Sequence, residues 1–202
     1  MEIKDTYLSI AERSRGLYKS LGSRFIAFAV PVEEEGQIRQ ELQALRREYH
    51  DARHVCFAWR LGHDGARWRA SDDGEPSGTA GRQILGRIDS EGLSDVLVAV
   101  VRYFGGVKLG VPGLIEAYRS ATADALSCAP RCEKIACVPY RLCFDYAAMP
   151  AVMKLLKEMD LKQVNPVFES TCRLDTRVRL SRVDAFEKAT SGISSCTMEK
   201  LV

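Results

Sequence analysis

Apolar residues fall in short blocks along the first half of the chain. Residues 24–30, RFIAFAV, form an apolar run closed by Pro31 and predict a strand. Tyr7 to Ile10 and Leu17 to Lys19 are shorter strand candidates before it. The period then changes. Ile38, Leu42, Leu45 and Tyr49 share one face of a helix, with Glu33, Glu34 and Glu35 at its N-terminal end, where negative charge suits the helix dipole. His54 to Leu61 and Trp68 to Ala70 predict a hairpin around Gly62-His63-Asp64-Gly65. A glycine-rich stretch leads into a helix over about Thr79 to Ser90. Val96 to Tyr103 is a continuous apolar run with β-branched residues, the pattern of a strand buried on both faces. A second glycine-rich stretch precedes an Ala-rich helix over about Leu114 to Cys128, ended by Pro130.

The pattern restarts after residue 136. Val138, Tyr140, Leu142, Phe144 and Tyr146 alternate with Pro139, Arg141, Cys143 and Asp145, a strand with one apolar face. Pro150 opens a helix with Val152, Leu155, Leu156 and Met159 on one side. Val164 to Ser170 and the alternating segment from Cys172 to Leu180 are strands, and Val183 to Thr190 is a helix before a short final strand. The order βαββαβ is the ferredoxin-like pattern. The expected fold class is therefore α+β, with domains over residues 1–132 and 136–202.

Composition bounds function more than fold. The 202 residues carry 29 Lys+Arg and 27 Asp+Glu, a net charge of +2, which excludes a general polyanion coat and an acidic disordered tail. The balance is uneven: residues 1–133 hold 18 basic against 19 acidic side chains (−1), and residues 134–202 hold 11 against 8 (+3). The charged N-terminus without an apolar stretch predicts no signal peptide, and no apolar run is long enough to cross a bilayer. Seven cysteines read as free thiols in a reducing cytoplasm. Cys128, Cys132, Cys137 and Cys143 cluster, but at spacings unlike those of zinc sites, so no metal and no cofactor is expected.

Candidate chemistry concentrates in the two glycine-rich stretches, SDDGEPSGTAG at 71–81 and RYFGGVKLG at 102–110. Each sits between a strand and a helix, where backbone N–H groups and a helix N-terminus can face an anion. Neither is a dinucleotide fingerprint or a P-loop. If the strands at Trp68 and at Val96–Tyr103 run parallel in one sheet, both loops leave at one edge. Asp72, Asp73 and Glu75 then lie near Arg102 and Lys108, in the crevice where α/β sheets place ligands. Ser77, Thr79, Tyr103, Gly105, Gly106 and Gly110 complete the candidate set. The alternative is structural: caps, tight turns and an ion-pair network. For His54 a hydrogen-bonding role is expected, and His50 and His63 read as surface residues. In the C-terminal part, Arg173, Arg177 and Arg179 line the polar face of one strand and Arg141 that of another, a row able to contact phosphates.

These two loops, with Arg24-Phe25-Ile26, Ala52-Arg53-His54 and Gly113-Leu114-Ile115-Glu116-Ala117-Tyr118, resemble the Impact/YigZ family in its bacterial two-domain form. Gln83, where Pro is common, and Val111-Pro112, in place of a Gly-rich pair, depart from the pattern. The resemblance implies an N-terminal α/β sandwich similar to ribosomal protein S5 domain 2, and a ferredoxin-like C-terminal domain similar to the last domain of elongation factor G. Eukaryotic members regulate translation initiation by competing for an activator of a kinase. The resemblance brings no catalytic residues. Three functions follow as expectations. The first is a non-enzymatic cytoplasmic binding module linked to translation, contacting RNA, the ribosome or a translation factor, with a monomer favoured. The second is an enzyme or binder acting on a phosphorylated small molecule or nucleotide at the paired loops. The third is a protein–protein regulator. A peptidase finds no nucleophile or metal constellation in the sequence.

Overall fold

The structure, a computed structural model, describes residues 5–201. It divides into two compact units, Tyr7–Lys134 and a second one holding residues 5–6 with 135–201. Among the described residues no helix is long and apolar enough to cross a membrane.

The first unit is built on a five-stranded sheet. In chain order its elements are β1 (Thr6–Ile10), β2 (Ser14–Ser20), β3 (Ser23–Pro31), α1 (Glu35–Glu48), β4 (His54–Leu61), β5 (Arg67–Ser71), α2 (Gly81–Ser90), β6 (Val96–Tyr103), α3 (Gly110–Ser127) and β7 (Arg131–Ile135). The sheet order is β2-β3-β6-β4-β5, and β1 pairs with β7 in a separate two-stranded ladder. The apolar run of β6 occupies the centre, antiparallel to β3 and to β4. Its side chains divide by parity. Val96, Val98 and Val100 pack into one core with α2 and α3, through Ile84, Ile88, Tyr118 and Ala121. Leu97, Ala99 and Val101 pack into the other, with Ile38 and Leu45 of α1. A strand covered on both faces must be apolar throughout, which is why this segment shows no alternation.

Because β5 and β6 are both antiparallel to β4, they run parallel to each other, and their C-terminal ends leave at one edge. Two features depart from the sequence expectation. Helix α3 begins at Gly110 rather than near Leu114, taking Pro112 into its first turn, where a missing N–H interrupts no helical bond. Strand β7 was not expected, because Arg131-Cys132-Glu133-Lys134-Ile135 has no apolar face.

The second unit contains β8 (Cys137–Phe144), α4 (Met149–Glu158), β9 (Val164–Phe168), β10 (Cys172–Arg179), α5 (Val183–Ser191) and β11 (Cys196–Lys200). Its sheet order, β11-β8-β10-β9, is the ferredoxin-like arrangement read from the sequence. Val138, Tyr140, Leu142 and Phe144 of β8, with Leu174 and Val178 of β10, meet Val152, Leu156 and Phe186 of the helices. The intervening residues form the opposite, open face. There Arg141 stands opposite Asp175, Cys143 opposite Arg173, Pro139 opposite Arg177 and Cys137 opposite Arg179. Asp5 belongs to this unit: its carbonyl accepts from the Ala136 N–H at 2.6 Å, and its carboxylate from the Ser181 N–H, also at 2.6 Å. Hydrogen bonds from the Ser181 hydroxyl and then its N–H hold the Asp5 carboxyl below its ordinary range.

Candidate functional site

Strand β5 ends at Ser71, and the first glycine loop must reach the start of α2 in nine residues. The N-cap position, Ala80, has no side chain to offer the first helical N–H groups. Asp72 does so from eight residues upstream: one carboxylate oxygen accepts from Ala80 (3.0 Å) and Gly81 (2.8 Å), the other from Gly78 (2.9 Å). The cap requires Gly81, since a Cβ there would lie 2.6 Å from the Ser71 nitrogen. Asp73 turns back toward β4 at φ +43. Its carboxylate accepts from the Val55 N–H at 2.7 Å and from Arg46 at 2.8 Å. Its carbonyl oxygen accepts from Nδ1 of His54 at 2.7 Å. A carbonyl cannot donate, so Nδ1 carries the proton of this bond and Nε2 is left outside it. Thr79 is buried and donates to the Pro76 carbonyl, while Ser77 is exposed.

The third acid behaves differently. Glu75 Oε1 accepts from Arg102 at 2.5 Å and from the Tyr118 hydroxyl at 2.8 Å. The side chains of Glu75 and Arg102 are only 3% and 9% exposed. Phe25 and Phe104 flank the guanidinium, 5.4 and 5.8 Å from ring centroid to Cζ. Beyond Tyr118, the Cys56 thiol lies 3.2 Å from the hydroxyl and 3.0 Å from the Asp72 carbonyl. Burial pushes the Cys56 thiol up to about 12 and raises Tyr118 well above its ordinary value. Cys56 therefore stays protonated at neutral pH and is no nucleophile.

The second loop passes over the end of β3. Gly105 lies so close to it that a Cβ would stand 2.0 Å from the Gly22 carbonyl carbon, and its N–H donates to Ser23 Oγ at 3.1 Å. Gly106 and Gly110 have φ of +89 and +69. Lys108 is exposed and, among the described residues, makes no hydrogen bond or ion pair. Between the loops is a cavity of about 440 Å³ lined by Arg53, His54, Glu75, Arg102, Phe104 and Lys108, with Pro76, Leu109, Gly110, Val111 and Leu114.

The structure thus brings Glu75, Arg102, Lys108 and Gly110 to one cavity. It turns Asp72 and Asp73 toward backbone N–H groups instead. Tyr103 lies on the other sheet face, where its hydroxyl donates to Asp51 at 2.6 Å and Arg24 covers its ring. Arg53, His54, Cys56 and Tyr118 join the site from outside the two stretches. Part of that was readable: His54 stands opposite Arg102 in the β4–β6 register, and Cys56 shares their face by parity.

On the open face of the second unit, Arg141 grips Asp175 with Nε at 2.8 Å and a terminal nitrogen at 3.1 Å. This contact lowers the Asp175 pKa and raises that of Arg141. Arg173, Arg177 and Arg179 make no hydrogen bond or ion pair with a carboxylate among the described residues; Arg173 and Arg179 act on Asp175 and Asp5 only through space.

Comparison with known proteins agrees with this layout. Residues 21–126 match the Impact N-terminal domain. The chain is 30% identical over 181 residues to IMPACT family member YigZ of Escherichia coli, covering 89% of each chain. It is 31% identical over 168 residues to IMPACT family member YvyE of Bacillus subtilis, covering 82% of this chain and 76% of the relative. The crystal structure of a hypothetical protein, 28% identical, superposes with a TM-score of 0.76 over 99% of both chains.

Proposed function

Taking as premise that this chain belongs to the Impact family, we propose that it is a non-enzymatic, cytoplasmic binding module linked to translation, and that it contacts RNA through the open sheet of its C-terminal unit. The observation that carries this reading is the row Arg173, Arg177, Arg179. Arg177 and Arg179 stand about 7 Å apart along one strand, on a face no helix covers, with guanidinium groups free of carboxylate partners. Guanidinium groups in that state are suited to phosphate oxygens. The face holds no aromatic side chain on β8 or β10 for a base to stack on, so the contact reads backbone rather than sequence. The link to translation draws on the likeness of both units to ribosome-associated folds. The engagement of all three acids of the first glycine loop argues for binding over catalysis, because none is left to serve as a general acid or base.

Co-sedimentation with ribosomes across a salt series tests the reading. Each phosphate contact contributes about 0.7–0.9 to the slope of log affinity against log salt. Replacing Arg173, Arg177 and Arg179 together by Ala should weaken binding and flatten that slope by about 2.1–2.7. Nuclease treatment should release the protein. An unchanged slope in the triple variant, or a bound partner that survives nuclease, overturns it in favour of a protein partner.

A further inference from the structure

The cavity between the glycine loops is not explained by an RNA-binding sheet, and its chemistry is of another kind. Its charged lining is Arg53, Arg102 and Lys108 against Glu75, three cations to one carboxylate. That carboxylate is already covered by Arg102 and Tyr118. Arg102, nine-tenths buried, gives one terminal nitrogen to Glu75, while its Nε–H is buried without an acceptor. Arg53 and Lys108 are exposed and unpaired among the described residues, and His54 Nε2 has no partner. Helix α3 starts at the cavity wall with no side-chain cap over its first N–H groups, unlike α2, which Asp72 caps. The excess of two positive charges matches a phosphomonoester dianion, which carries about −1.5 to −2 at neutral pH.

Size and polarity narrow the ligand further. A volume near 440 Å³ lies within the range of small-molecule sites. Inorganic phosphate would leave Pro76, Phe104, Leu109, Val111 and Leu114 facing water. A sugar phosphate would set hydroxyl groups against the same apolar surface without partners. A planar base suits it, with Phe104 exposed at the mouth. We propose that the cavity binds a nucleoside monophosphate, its phosphate held by Arg53, Lys108 and Arg102 and its base against Phe104 and Val111. The phosphate belongs either to a free mononucleotide or to the end of an RNA chain.

Isothermal titration of the full chain with adenosine and uridine monophosphate, inorganic phosphate and adenosine tests this. Either monophosphate should bind about ten-fold or more tighter than phosphate or adenosine alone. Arg102 variants risk the fold, so Lys108→Gln and Arg53→Gln carry the test: each should lower affinity by about ten-fold with an unchanged thermal midpoint. Phe104→Ala should weaken the nucleotide and leave inorganic phosphate unaffected. A short RNA with a terminal monophosphate, against the same RNA with a free hydroxyl, distinguishes the two sources. The triple arginine variant of the C-terminal sheet should bind mononucleotide normally, which separates failure here from failure of the RNA reading. Silence of both monophosphates and of the phosphorylated RNA overturns the proposal. So does equal affinity for inorganic phosphate, or indifference to Lys108→Gln and Arg53→Gln.

Discussion

The glycine loops of the first unit and the open sheet of the second both set arginines beside carboxylates, but in different surroundings. Arg102 and Glu75 are almost wholly removed from water. Their pairing joins the first glycine loop to the end of β6, 27 residues away in sequence, and extends through Tyr118 and Cys56 into the core. Arg141 and Asp175 meet across two neighbouring strands at the surface, and the arginines around them stay unpaired. Removal from water turns the first pair into a structural joint, because an ion there cannot be left alone. The second pair is partly exposed, at 33% for Arg141 and 15% for Asp175, so water still reaches it as an alternative partner. Charge counts along a sequence treat the two regions alike; burial separates them.

The sharpest way to break this comparison is to remove one ion from each region. Glu75→Ala leaves Arg102 buried without its carboxylate and should cost about 3–5 kcal/mol in urea unfolding. Arg177→Ala should change stability by no more than about 0.5 kcal/mol. If the two cost the same, the distinction fails. A smaller effect is expected at Asp72, which caps α2 through three N–H groups. Asp72→Ala should cost about 1–2 kcal/mol. The Gly78, Ala80 and Gly81 amides should exchange faster with solvent, while those of the C-terminal sheet keep their protection.

A further effect appears in the pH dependence of stability. Cys56 titrates near 9.0 when free and at about 12 in the fold. Above about pH 9 the unfolded chain gives up this proton and the folded one holds it, so stability falls as pH rises, by about 1 kcal/mol from pH 9 to 10. Tyr118, raised in the same way, acts in the same direction at higher pH. Cys56→Ala should flatten the decline in denaturation curves measured across that range. An equal decline in the variant would place its origin elsewhere.

The sequence was most legible where one period runs unbroken. The βαββαβ order of the second unit, the central strand β6 and the meeting of the two loops all follow from alternation and from parallel strands sharing an edge. What escaped depends on partners distant in sequence. Strand β7 is held by its pairing with β1, not by its own pattern. Tyr118 reaches Glu75 from 43 positions away and Cys56 reaches Tyr118 from 62, through side-chain contacts that no local spacing encodes. The shared sheet edge groups Asp72 and Asp73 with Arg102, because both loops leave there. The backbone N–H groups at the start of α2 and on β4 claim them first, because a buried donor without an acceptor is costly. Tyr103 is a different lesson. Adjacent strand residues point to opposite faces, so pairing it with Arg102 ran against the period-two rule.

Asp5 ties the folding of the second unit to the order of synthesis. Its carboxylate is bound by Ser181, 176 residues further along. On a ribosome Asp5 emerges 176 residues before its partner. The intervening Tyr7–Lys134 unit has its own sheet and cores and is complete before Ile135 appears. The second unit is completed only when Asp5 is joined to a segment made long after it. A fragment starting at Ile135 contains every strand of that sheet but lacks the acceptor that Ala136 and Ser181 use.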